Sequence, residues 1–222
     1  MGRVSQAQAQ ENRRRVVETA SRLFREQGTH VSVADLMKAA GLTHGGFYKQ
    51  FASKDALVDE ATALALKELA RHHGEELERH GGERAAAQRE LINTYLSPAH
   101  RDGRADGCPV AALVTDIARE PEGREARRVY ARGVRDFAAH LTTGDGEDGI
   151  ARLSTLVGAL VLARATSGDP LSQEILDAAR AALGTTTEPG RAETEAGSGG
   201  AEVRRDHRGV RPGSDPGQPE HT

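Results

Sequence analysis

The sequence predicts an all-α chain, and three observations carry that expectation. Apolar residues recur at three- and four-residue spacing through most of the chain up to residue 183, and residues suited to helix caps precede several of these runs. Aromatic residues make up 3% of the 222 residues and Trp is absent, which is poor material for a sandwich or barrel built on aromatic and β-branched side chains. No stretch has the strict alternation of a half-buried strand, and no internal repeat is visible.

The elements follow in order. Val16, Ala20, Leu23, Phe24 and Gln27 fit one helix face, and Gly28 ends that helix. Ser32 suits the N-cap of a short helix from 33 to 40, closed by Gly41. Thr43 suits the cap of a third short helix reaching about Gln50. Ser53 begins a fourth, with Asp55 in a first turn where the helix dipole favours negative charge. Leu57, Ala61, Leu64 and Leu69 carry it to about His73, and Gly74, Gly81 and Gly82 interrupt the pattern. Further helices are expected at 83–97, 109–119, 123–142, 147–167 and 170–183, with Pro109 and Pro170 in first-turn positions that tolerate proline.

Charge divides the chain into zones. Residues 1–55 hold nine Lys/Arg against five Asp/Glu, a net +4, whereas the remainder is net −7 and the whole −3. A small basic module at 1–55 therefore precedes an acidic helical body at 56–183. Four of the seven aromatics, Phe24, Phe47, Tyr48 and Phe51, fall in the small module, which needs large side chains to close a core. From 184 to 222 there are eight Gly and four Pro and no Leu, Ile, Met or aromatic residue; this composition predicts a disordered tail. The apolar run Leu156–Ala163, bracketed by Arg152 and Arg164, is too short to span a bilayer. The polar segment 1–15 has no signal-peptide apolar core, and the myristoylation pattern that Gly2 begins fails at Gln6. A single Cys forbids an intramolecular disulfide. The expected setting is the cytoplasm, with no membrane partner.

The strongest local signal is Ser32–Lys54, SVADLMKAAGLTHGGFYKQFASK. Two short helices flank a glycine turn. Ala39, Ala40 and Gly41 allow close crossing, and Leu36, Leu42, Phe47 and Phe51 can close a core with Leu23 and Phe24. This is a helix-turn-helix pattern, whose second helix enters the major groove of DNA. Thr43 and His44 sit at that helix's start, within reach of base edges or phosphates. Gly45 and Gly46 cost helix stability, so they fit either close approach to a duplex or drift at a tolerant position. Tyr48 can donate to a phosphate, and Lys49 and Lys54 add positive charge, Lys54 at a helix start that itself favours anions. Arg13, Arg14 and Arg15 fit a backbone-tracking arm or a solvated face.

Residues 13–60 resemble the DNA-binding domain of the TetR/AcrR family of transcriptional regulators. The resemblance rests on A-x-x-L-F-x-x-x-G at Ala20–Gly28, the A-G-L turn, and G-G-F-Y-K-Q-F-x-S-K at Gly45–Lys54. It implies an all-α homodimer with one three-helix DNA-binding domain per subunit and a helical-bundle domain for ligand binding and dimerisation. It places Ser32 and Tyr48 on phosphates, Thr43, His44 and Lys49 facing bases, and Lys54 as an anchor on the backbone. Ser32, Met37 and Gln50 depart from the more usual Thr, Ala and His, and Gln50 touches either a backbone contact or the core edge.

The body is less specific. Leu153, Leu156, Val157, Leu160 and Val161, with Leu171, Ile175 and Leu176, form either a dimer seam, as the resemblance implies, or an internal core stripe; Gly158 and Ala159 would permit close approach at a seam. Cys108 precedes Pro109 at an expected helix start, where a thiol pKa falls. The segment G-C-P-x-A-A-L also resembles a subgroup of the family that includes thiol-based sensors. The alternative for Cys108 is a small buried hydrophobe. His72, His73, His80 and His100 lack zinc spacing and read as solvated. Gly144–Gly149 has calcium-like composition but not the loop order, and reads as a turn. No cofactor, metal or catalytic signature is found. The expected function is a repressor released from a palindromic operator by a small effector, or by oxidant or electrophile at Cys108; an activator of the same fold, or a helical-bundle enzyme or metal protein, is the alternative.

Overall fold

The computed structural model describes residues 6–144, 146 and 148–184. Its described secondary structure is wholly helical. The order is α1 (Gln6–Gln27), α2 (Val33–Ala39), a 3-10 helix (His44–Lys49), α3 (Lys54–Arg79), α4 (Arg84–Tyr95), α5 (Pro98–Asp102), α6 (Pro109–Arg119), α7 (Glu125–Leu141), α8 (Gly149–Ala165) and α9 (Leu171–Gly184). No described helix is long and apolar enough to cross a membrane. Beyond Gly184 the expected tail lies outside the described residues.

Several boundaries follow from local chemistry. Gly28 (φ +88°) and Gly41 (φ +69°) occupy the left-handed region, which glycine adopts without steric cost, and they end α1 and the α2 segment as expected. Ser32 and Ser53 cap α2 and α3, each accepting from a backbone N–H at 3.1 Å. Three expectations are corrected. Gly74 does not stop α3, which continues to Arg79; a helical glycine costs about 1 kcal/mol, and buried His73 and Glu76 on either side hold the turn in place. The stretch 83–97 ends at Tyr95, and a separate turn, α5, starts where Ser97 accepts the His100 N–H at 3.2 Å and Pro98 takes the first helical position. The third helix is 3-10 rather than α, and Thr43 holds its N-cap position without a side-chain cap bond.

Apolar side chains gather in two clusters. The first joins Val16, Ala20 and Phe24 of α1, Leu36 and Met37 of α2, Phe47, Phe51, and Leu57, Val58 and Ala61 of α3, with Leu113 and Ile117 of α6 and Ala126 of α7. The second joins Leu66 of α3 with the inward faces of α4 and α6–α9, including Phe137, Leu141, Leu156, Leu160 and Leu176. α3 therefore serves both. Further ties connect the N-terminal helices to the body. Asp116 accepts the Thr29 N–H at 2.9 Å, Asp59 accepts the Ala126 N–H at 3.0 Å, and Arg124 reaches Asp55 and Glu120, each at 3.1 Å.

The α8–α9 stripe divides. Leu153, Leu156, Leu160 and Leu176 are buried inside the chain. Val157, Val161 and Ile175 are half-buried, and Ile150, Leu162 and Leu171 are exposed. In the Gly144–Gly149 turn, Asp148 accepts from the Thr143 N–H at 3.0 Å and hydroxyl at 2.7 Å, and these bonds hold its carboxyl below its usual range. Asp145 and Glu147 lie outside the described residues.

Candidate nucleic-acid interface and effector cavity

The residues expected to meet DNA lie close together in the chain, at the end of α2's approach, along the 3-10 helix and at the start of α3. Phe47 is buried, stacks on Phe51 at 5.3 Å and meets the Tyr48 ring edge-on at 5.1 Å. That contact fixes the ring while Tyr48 itself stays 69% exposed. Thr43, His44, Gly45 and Lys49 are exposed, and Gly46 and Lys54 are half-exposed. Neither Gly45 nor Gly46 has positive φ. A Cβ on Gly45 would meet nothing, and one on Gly46 would make ordinary contact with Met37 at 3.5 Å. The fold thus gives no reason for the pair. Ser32 is exposed, but its hydroxyl already donates to the Asp35 carboxylate at 2.6 Å.

The arginine triplet is not uniform. Arg13 makes two 2.6 Å hydrogen bonds to Glu60 of α3 and lies 4.7 Å above the Phe51 ring; it braces α1 against α3. Arg14 pairs along its own helix with Glu11 at 2.7 Å, and Arg15 with Asn12 at 3.2 Å. Gln50 stands at the core edge, with its side-chain oxygen buried and unpartnered in the protein.

The body contains a cavity of about 380 Å³, open to solvent on one side and lined by the end of α1, the middle of α3, α4 and the segment from His100 to Pro109. Cys108 forms part of its wall and is the N-cap residue of α6. The expectation of a depressed thiol pKa is overturned. Cys108 is 4% exposed, and burial pushes the thiol up, outweighing the lowering by Tyr95 and by the backbone of Ala111 and Val110. Charge removed from water is penalised more than one helix terminus repays. His100 holds this segment in place: its Nδ1 lies 2.7 Å from the Tyr95 carbonyl and its Nε2 accepts the Cys108 N–H at 3.1 Å. This pairing fixes a neutral ring, and burial lowers its pKa accordingly. Arg164 donates to the carbonyls of Arg101 and His100 at 3.0 and 3.1 Å, pinning α5 to α8.

The reading of the histidines as solvated is also corrected in part. His72 is exposed, but His73 is buried, 4.5 Å from Phe137 and stacked 4.6 Å from His140. Among the described residues no group of three or more His, Cys, Asp or Glu is arranged to hold a metal. Arg25 and Tyr95 of the cavity wall, and Arg124, escaped the sequence reading. Each acts through partners far away in the chain, so no local pattern marks them.

Residues 16–61 match the family described as bacterial regulatory proteins, tetR family. The match covers about a fifth of the chain and lies over its N-terminal helices. A curated relative, the HTH-type transcriptional regulator AcrR of Shigella flexneri, is 31% identical over 93 residues, 41% of this chain and 43% of AcrR. The match thus spans less than half of that relative's length. Among solved structures, E. coli NemR in its reduced form superposes with a TM-score of 0.65 at 20% identity, covering 78% of this chain and 95% of NemR. A TetR family regulator from Agrobacterium tumefaciens gives 0.62 at 22% identity, covering 79% and 97%. These likenesses extend the TetR fold through the helical body.

Proposed function

We propose that this chain is a DNA-binding transcriptional regulator of the TetR type, acting in the cytoplasm as a homodimeric repressor on a palindromic operator. The observation that carries the reading is the exposed, basic surface of the 3-10 helix and the α3 start, where Tyr48 is presented outward on a buried Phe47. Thr43, His44 and Lys49 face base edges. Ser32 and Tyr48 meet phosphates, Ser32 by releasing its Asp35 contact. Lys54 anchors the α3 terminus on the backbone, and Gly45 and Gly46 let the duplex come close. Two such surfaces must sit one helical turn apart. The outward apolar face of α8 and α9, with Ile150, Leu162 and Leu171 exposed and open space above Gly158, supports pairing there. A small effector that binds one arrangement of the helices better than the other shifts the population away from the DNA-binding state.

The test is titration of labelled duplex from the DNA next to the protein's own gene, across a salt series. Tyr48→Phe and Lys54→Ala should weaken binding for all sequences, and Lys54→Ala should reduce the salt slope by about one. Thr43 and His44 substitutions should change preference among sequences. Unchanged affinity in all four variants would refute the placement.

A second route of release is favoured by the position of Cys108 in the cavity wall: oxidation of the thiol, or its alkylation by an electrophile admitted there. Its raised pKa slows that chemistry until the segment opens. Equal release of wild type and Cys108→Ser by oxidant and electrophile would eliminate this route.

A further inference from the structure

Arg25 is an under-satisfied cation. It lies in the last turn of α1, its side chain is 9% exposed, and its Nε is buried without a hydrogen-bond partner in the protein. Its ion pair is with Glu68, Nη1 to Oε2 at 3.9 Å, too long for a hydrogen bond. The other carboxylates lining the cavity are engaged elsewhere. Glu76 is held by Arg79 at 2.9 Å, and Asp106 by Arg22 at 3.3 Å. Arg71, the second arginine of the wall, is paired with Glu75. Tyr95 Oη is also buried, beside the Cys108 thiol, a weak acceptor. The same wall includes Ala65, Leu69 and Leu91. It therefore combines a buried arginine with only a long ion pair and a buried hydroxyl with only a weak acceptor, beside an apolar surface.

We propose that this cavity binds a small monocarboxylate with an apolar or aromatic body, its oxygens accepting from Arg25 and from Tyr95 Oη and its body lying against Leu69 and Leu91. A carboxylate matches the planar fork of a guanidinium. One buried arginine balances one negative charge, and a dianion would need a second free cation. A cationic ligand would bring like charge to the buried arginine. The volume of about 380 Å³ lies at the lower end of the range for small-molecule sites, about 300–1,000 Å³. Glu68, whose side chain is 42% exposed, can give way to solvent when the ligand arrives. The proposal deepens the regulatory reading by naming the effector class. Arg25 belongs to the first helix of the proposed DNA-binding unit, so the ligand would act directly on that unit.

The test uses the full chain without DNA, so its failure leaves the DNA-binding reading standing. Calorimetric titration compares 3-phenylpropanoate, 3-phenylpropanamide and 3-phenylpropylamine, which share one body. The acid should bind about tenfold or more tighter than the amide, and the amine should not bind measurably. Arg25→Gln should abolish the acid's advantage, Arg25→Lys should keep part of it, and Tyr95→Phe should weaken the acid by roughly threefold. Thermal melts establish that each variant is folded; should Arg25→Gln fail to fold, the ligand series on the wild type and Tyr95→Phe decide. Absence of acid binding, equal binding of acid and amide, or unaltered acid affinity in folded Arg25→Gln overturns the proposal.

Discussion

His73 makes the stability of this protein depend on pH in a way that one substitution can isolate. Its ring is 7% exposed between Phe137 and His140. Burial, with the neighbouring His140 and His72, lowers its pKa to about 3. An unfolded histidine titrates near 6.5. Between those values the unfolded chain holds a proton that the folded chain rejects. The contribution is therefore complete above pH 6.5 and is lost progressively as pH falls toward 3. At pH 5 the loss from this residue alone is about 2 kcal/mol. His73→Phe keeps an aromatic ring against Phe137 and removes the titration. Urea unfolding followed by circular dichroism, at one protein concentration and at pH 7 and pH 5, measures the difference. The wild type should lose about 2 kcal/mol more than the variant on acidification. His140 and His100 are also lowered by burial, but neither shift draws on His73, so both cancel in the comparison. An equal loss in the two proteins would refute a neutral buried His73.

Other outcomes are expected from packing. A methyl on Gly149 would overlap the Ala138 carbonyl oxygen, so Gly149→Ala should destabilise by about 3 kcal/mol and lower the melting temperature markedly. Gly74 has open space around its Cβ position, so Gly74→Ala should gain about 0.5–1 kcal/mol in the same melt. Arg13→Ala removes the double contact to Glu60 and the stacking on Phe51; since the pair is partly exposed, the cost in urea unfolding should be about 1 kcal/mol. Leu162→Glu places a charge on the outward face of α8 and should shift sedimentation toward the monomer, with little effect on monomer stability.

The proposed DNA-facing surface was legible in the sequence because its residues are contiguous. Caps, glycine turn and aromatics from Ser32 to Lys54 interact mainly over short chain distances, and their order in the sequence is nearly their order in space. α6 was legible at its start for a similar reason, with Pro109 at its first position. The cavity was not legible. Arg25, Glu68, Tyr95 and Cys108 come from four separate parts of the chain, and in the sequence Arg25 looks like any arginine on an amphipathic helix. Arg13 and Arg14 are adjacent and identical in type, yet the first finds its carboxylate 47 residues away and the second three residues away. His72 and His73 diverge in the same manner, because α7 covers one side of α3 and leaves the other to water. The 3-10 geometry of the third helix reflects the weak helix preference of Gly45 and Gly46, which the spacing of Phe47 and Phe51 concealed.

Because α3 is unbroken over its 26 residues, it spans about 39 Å and behaves as a stiff lever. Glu68 lies about 21 Å along the axis from Lys54. A tilt of about 5° pivoting near Glu68 would carry Lys54 by about 2 Å over that length. In the proposed two-fold pair both arms would swing, so the spacing between the two DNA-facing surfaces would change by up to twice that displacement. Gly74, beyond that pivot, is not a joint, and the tilt reaches the far turn undiminished.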